Sequence, residues 1–316
     1  MDSTMKISVF YKSIILFTLL WTHFALAQTG KVLIVNSDNA VFRYEAIAAE
    51  FKKNLQLNDY QWTEITIEKN AVADDVLNQL IQEDKHGLIY CLGSEAFSLV
   101  DKYAHNKKIL FSGIINWQRM KIGEKTNGIA NELSANHEMS LQHFFFPMFK
   151  NIGVIYSEAF SHEYIENLKK AAVSNGINLI SVPDIAEDEL SNELQELMPK
   201  IDMFWLISDP NVLNSKESVQ QIFAAAKQYK KPVYAYSDVY IAQGALLSIS
   251  IEPITIARQA AGLAIKMDTD DKTPGGVVQY PAGSLITLNK CVLDELKLKF
   301  NPDGLNSVYT IKGCKK

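Results

Sequence analysis

The chain has 316 residues, enough for two domains of ordinary size, each with a sizeable core. Its formal net charge of −5, with no basic stripe, speaks against a nucleic-acid partner. Beyond the first thirty residues, no apolar run is long enough to cross a bilayer.

At the N-terminus, Lys6 and Lys12 precede an apolar stretch from Ile14 to Leu20, which continues through Trp21 and Phe24 to Ala25-Leu26-Ala27. A basic start, a short apolar core and a small-residue end describe a cleavable secretory signal over residues 1–27. Either Met1 or Met5 serves as initiator, and cleavage leaves Gln28 as the first mature residue. No cysteine lies near the cleavage point, so a lipid anchor is not encoded there. The expected location is the periplasm, with a mature formal charge of about −6, since the signal holds one acid and two bases.

From residue 31 the chain repeats itself. KVLIVNSDNAVFRYEAIAAEFKKN (31–54) is matched by NIGVIYSEAFSHEYIENLKKAAVS (151–174): Ser37 and Ser157, Asp38 and Glu158, and Tyr44 and Tyr164 are each 120 positions apart. GLIYCLGSEAF (87–97) is matched by DMFWLISDPNV (202–212), and KKILFSGIINW (from Lys107) by KKPVYAYSDVY (from Lys230). The apolar runs Val32–Val35, Leu88–Leu92, Ile152–Tyr156 and Met203–Ile207 are near-continuous, as in parallel strands buried on both faces. Between them run helical stripes such as Tyr44, Ile47, Ala48, Phe51 and Leu55. The expected fold is α/β: two Rossmann-like, doubly wound lobes with facing polar turns at the carboxyl ends of their strands, where ligands bind in such sheets.

Those turns supply the candidate binding residues. Asn36-Ser37-Asp38-Asn39 and Tyr156-Ser157-Glu158-Ala159 follow the first strand of each lobe. As single turns they suit helix capping. Their repetition across a cleft brings in a ligand role as well. In Leu92-Gly93-Ser94-Glu95 a glycine before a serine at a helix start allows close backbone approach and offers free N–H groups to a carboxylate. Its counterpart is Ser208-Asp209-Pro210. Asp38, Glu95, Glu158, Asp209 and Asp238 outnumber the chain's three arginines, Arg43, Arg119 and Arg258, which favours a ligand with an amine. Trp117, Phe160, Tyr236 and Tyr240 stand near the same turns, where they can hold a flat apolar group or simply pack in loops.

His137 and His143 are six apart, a spacing that does not align two metal ligands on one helix face. The chain contains no G-x-S-x-G, H-E-x-x-H, P-loop or G-x-G-x-x-G pattern. The expectation is therefore a binding protein and not an enzyme, with no cofactor and no metal. Cys91 falls within a strand and reads as a small core residue, while Cys291 and Cys314 can pair or remain free.

From about Lys31 to Gly304 the sequence resembles the periplasmic binding proteins of ABC transporters, type I fold, and more narrowly the family of tryptophan- and tyrosine-binding components. The likeness is sharpest from 151 to 267, through DMFWLISDPNVLNS, AAAKQYKKPVYAYSD and GALLSISIEPITIARQAAGLAIKM. It implies a three-segment hinge near 129–136, 248–253 and 277–284. The first lobe would comprise 28–131 plus 253–276, and the second 132–252 plus 277–316. It implies contacts at Ser37, Asp38, Gly93, Ser94, Ser157, Glu158, Ser208, Asp209, Ser237 and Asp238. The partners it implies are a small zwitterionic ligand, such as an amino acid, and an ABC permease. A membrane sensor is the alternative partner, and the protein is expected to be monomeric.

Overall fold

The computed structural model describes residues 30–38, 41–67, 74–83, 86–104, 106–183, 188–301, 303 and 309–312. The signal segment, Asn39 and Cys314 lie outside the described residues.

The first lobe is built on strands β1 (Lys31–Asn36), β2 (Gln61–Thr66), β3 (Leu88–Leu92), β4 (Lys108–Ser112), β5 (Thr126–Ile129) and β11 (Val278–Gln279). They form one parallel sheet in the order β11-β5-β4-β3-β1-β2. In β1, Val32 and Ile34 enter one apolar cluster while Leu33 and Val35 enter another, so the strand is buried on both faces as its unbroken apolar run requires. Helix α1 (Phe42–Gln56) lays Ile47, Ala48, Phe51 and Leu55 on this sheet, and the Phe51 ring stacks on Tyr90 at 4.0 Å. Helices α2 (Asp74–Gln82) and α3 (Ser94–Tyr103) complete the winding.

The second lobe contains β6 (Asn151–Tyr156), β7 (Asn178–Pro183), β8 (Met203–Leu206), β9 (Val233–Ala235), β10 (Leu247–Ser250), β12 (Leu285–Asn289) and β13 (Tyr309–Lys312), in the order β13-β12-β10-β9-β8-β6-β7. Only the β10–β12 pair of this described sheet is antiparallel. Its helices are α4 (Ala135–Phe145), α5 (Glu158–Ser174), α6 (Leu190–Leu197) and α7 (Lys216–Gln228), with the short α9 (Lys290–Glu295) beyond β12.

Three passages join the sheets: 130–134, 251–252 and 280–284. Helix α8 (Pro253–Thr269) returns from the second sheet to pack on α1 and on β3, β4 and β5. Because β11 pairs with β5, the third passage starts after Gln279, and Val278–Gln279 adds to the first sheet, just past the 276/277 boundary expected from sequence. Cys91 is a free, buried thiol and Cys291 is disulfide-bonded. Among the described residues no helix is long and apolar enough to cross a membrane, and no group of three or more His, Cys, Asp or Glu could hold a metal ion.

Candidate functional site

A chamber of about 610 Å³ lies between the lobes, within the range of small-molecule sites. The first lobe contributes Val41, Phe42 and Arg43 from the start of α1, and Ile115 and Asn116 from the loop after β4. The second contributes Ile207 and Ser208 after β8 and Tyr236, Ser237, Asp238 and Val239 after β9. The first two passages form much of the remaining wall, through Asn131–Leu133 and Ile249–Pro253.

Chain direction explains this convergence. Parallel strands all deliver their following loops to one edge, and the two sheets turn those edges toward each other. Helix α1 opens on the chamber from Val41 without a side-chain cap, and a helix N-terminus is favourable to negative charge. Phe42 is 78% exposed and Val239 is 62% exposed, so each lobe lends the chamber an accessible apolar residue.

Arg43 is the one cation among the described lining residues, against Glu132, Glu138, Asp238 and Glu252. Its Nε donates to Asn131 Oδ1 at 3.1 Å, and burial lowers its pKa. Glu138 accepts hydrogen bonds from the hydroxyls of Tyr164, at 3.0 Å, and Tyr234. Burial pushes the Glu138 carboxyl up to about 7 despite these donors. Burial raises Glu132 to about 8, with the Glu138 charge adding to the effect.

The residues expected from sequence fall into distinct groups. Ser208, Tyr236, Ser237 and Asp238 line the chamber. Ser37, Asp38, Ser94 and Glu95 line a smaller cavity of about 280 Å³ in the first lobe, with Val41 shared between the two. Ser37 is buried and engaged: its Oγ accepts the Ala96 amide at 2.9 Å, capping α3 from the neighbouring turn. Gly93 has φ +93°, and a Cβ there would lie 2.5 Å from Ser37 Oγ, so its glycine serves packing.

In the second lobe, Asp209 does not line the chamber. It is 1% exposed, and its Oδ2 accepts the Ser157 amide at 2.8 Å and the Ser161 hydroxyl at 2.6 Å. Its Oδ1 accepts the Asn211 and Val212 amides at 3.0 and 3.3 Å. A fully engaged carboxylate cannot serve as a free counter-charge for a ligand. Ser157 is equally committed, accepting from Asn211 Nδ2 at 2.9 Å.

Glu158 points elsewhere: it pairs with His162 on the exposed face of α5, and hydrogen bonds from Tyr156 and His162 lower its pKa. Trp117 packs against the first lobe's own core, and its indole N–H is buried with no acceptor. Phe160 meets the Arg119 guanidinium, 4.8 Å above its ring, in a contact between the lobes. Beside it, Asn116 Nδ2 donates to Ser161 Oγ at 3.1 Å and to the Phe160 carbonyl at 3.4 Å. Tyr240 stacks on Phe223 and shares a hydroxyl contact of 3.2 Å with Tyr236.

Sequence reasoning missed Phe42, Asn116, Asn131, Glu132 and Glu138 as wall residues, and noted Arg43 only as one of three arginines. For Asn131 and Glu132 the available signal was the first crossing between lobes, expected near 129–136.

A family model described as ABC transporter substrate binding protein matches residues 44–305. The chain belongs to that family. A tyrosine-binding protein of Clostridioides difficile strain R20291 is 25% identical over 190 residues, covering 60% of this chain and 51% of that protein. The chain thus spans about half the length of that relative. Among solved structures, the ligand-free, open form of a Clostridium difficile substrate-binding protein with adhesive properties superposes with TM-score 0.72. Its identity is 19%, over 91% of this chain and all of that one. An ABC domain from Streptococcus pneumonia in complex with L-Trp gives TM-score 0.63 and 14% identity, over 90% of this chain and all of that one. At these identities both attest the fold, the type I periplasmic binding architecture.

Proposed function

We propose that the protein is an exported receptor that captures a small zwitterion, an amino acid with an apolar or aromatic side chain, and delivers it to an ABC importer. The observation that carries this reading is the chamber itself. It is bounded by both lobes and combines the Arg43 guanidinium, the Ser208 and Ser237 hydroxyls and several carboxylates with apolar surface from Phe42, Ile115, Ile207 and Val239. Such a wall suits a ligand with both charges and an apolar body. One curated relative is named for tyrosine, and one structural neighbour was solved with L-Trp, which supports an aromatic side chain. The secretory-signal pattern of residues 1–27 supports export to the periplasm.

A receptor of this kind works by differential affinity. Ligand held by one lobe gains its remaining contacts when the other lobe meets it, and only that surplus shifts the lobes together. A thermal-shift panel of amino acids, nucleosides, sugars and small carboxylates tests the reading. Ligand at a hundred times its Kd raises stability by about 2.7 kcal/mol. A rise confined to amino acids is expected; a rise with sugars or nucleosides alone, or no rise at all, contradicts the proposal.

A further inference from the structure

Glu132 stands in the first passage, between β5 and α4, on the chamber wall. Both of its carboxylate oxygens are sealed from solvent, and neither has a hydrogen-bond partner. The Asn116 and Trp117 amides lie near enough to favour its ionised form, yet neither forms a well-shaped hydrogen bond to it. Arg43, whose Nε alone donates to Asn131, acts on Glu132 only at longer range. Glu138 provides the contrast, since two tyrosine hydroxyls satisfy it. A buried carboxylate left alone is costly, so the site is complete only with a proton or a cation.

We propose that Glu132 seats the protonated amine of the ligand, leaving the Arg43 guanidinium for the ligand's carboxylate, so that the ligand class is a primary-amine zwitterion. The assignment rests on the chamber being the ligand site. It moves the amine away from Asp209, which is engaged internally, and from Asp38 and Glu95, which line the smaller cavity. Ammonium to carboxylate is a charge-assisted contact, about twice as strong as a neutral hydrogen bond.

The pH dependence has a definite sign. Around Glu132 stand Glu138 from α4, Tyr164 from α5, Arg43 from α1, the Asn116 and Trp117 amides, and Tyr280 from the third passage. With its carboxyl raised to about 8, Glu132 holds a proton at neutral pH in the empty chamber. An ammonium must displace that proton. Affinity therefore rises with pH toward 8, and binding releases a proton.

The test is isothermal titration calorimetry of the wild type, Glu132→Gln and Glu132→Asp with each of the twenty protein amino acids. The tightest binder is then compared with its analogue carrying hydrogen in place of the amine. Wild type should prefer the amine by roughly 10- to 100-fold. Glu132→Gln should lose most of that preference and flatten the pH profile, while Glu132→Asp keeps part of both. An unchanged preference and profile in Glu132→Gln would overturn the assignment alone. Equal binding of the two analogues by wild type would do the same and needs no variant to fold. Silence of the wild type toward every amino acid would instead remove the receptor reading beneath it.

Discussion

Asp209 holds Ser157: its carboxylate accepts the Ser157 amide at 2.8 Å and, through Ser161, stitches the turn after β8 to the first turn of α5. The first lobe has its own version, with Ser37 reaching from the turn after β1 to the Ala96 amide at the start of α3. The repeated Ser-acid turns therefore lock neighbouring strand ends together within each lobe. Asp209→Ala would leave the Ser157, Asn211 and Val212 amides without this acceptor. The expected loss is about 2–4 kcal/mol, read as a fall in Tm of roughly 5–10 °C. Calorimetry should show this fall before any change in which ligand is preferred.

Gly93 is the second place where a ligand-like motif serves the fold. Its φ of +93° suits glycine, and an added Cβ would meet Ser37 Oγ at 2.5 Å and Tyr44 Cζ at 3.0 Å. Gly93→Ala should destabilise by about 2 kcal/mol or more, through strain and through disturbance of the Ser37 cap. Urea unfolding measures it directly: the midpoint should drop with the slope unchanged.

The Arg119 guanidinium over Phe160, and the Asn116 side-chain amide on Ser161 and the Phe160 carbonyl, clasp the two lobes. Each contact is worth on the order of 1 kcal/mol. Phe160→Ala should therefore weaken ligand binding by roughly 3- to 10-fold, mainly through faster dissociation. Small-angle scattering should show a larger mean radius of gyration in the ligand-free variant, while its Tm stays near that of wild type.

Glu138 gives the stability a pH dependence. Burial holds its folded pKa at about 7, above that of an exposed carboxyl, so the folded state binds this proton more tightly than the unfolded chain does. The contribution is present in full below the unfolded pKa and is lost as pH rises through about 7. Thermal unfolding of the ligand-free protein should thus show Tm falling between pH 5 and 8, to an extent of roughly a few degrees. Glu138→Gln should lessen that fall while keeping an acceptor for a tyrosine hydroxyl, and Glu132, raised by burial to about 8, supplies the remainder.

The fold was legible because its cause is local and repeated. Val32–Val35 and Met203–Ile207 are apolar at every position, as suits a strand covered on both faces, and the shared offset of Ser37/Ser157, Asp38/Glu158 and Tyr44/Tyr164 made the duplication plain. The site was legible in part. Ser208, Tyr236, Ser237 and Asp238 line the chamber because they follow strand ends. Asp209, one residue after Ser208, turns into the lobe, and no feature of Ser208-Asp209-Pro210 says which neighbour faces the cleft. Arg43 and Glu132 were not singled out because their meaning comes from tertiary placement. One stands on the opening turn of α1, the other in a passage whose wall is made by elements distant in sequence.

The most direct test is a crystal structure of the protein with the amino acid that stabilises it most. Ligand density should lie in the chamber of about 610 Å³, with its carboxylate at Arg43 and its apolar side chain against residues of both lobes. Density in the smaller cavity lined by Ser37, Asp38, Ser94 and Glu95, with the interlobe chamber holding only water, would contradict this placement.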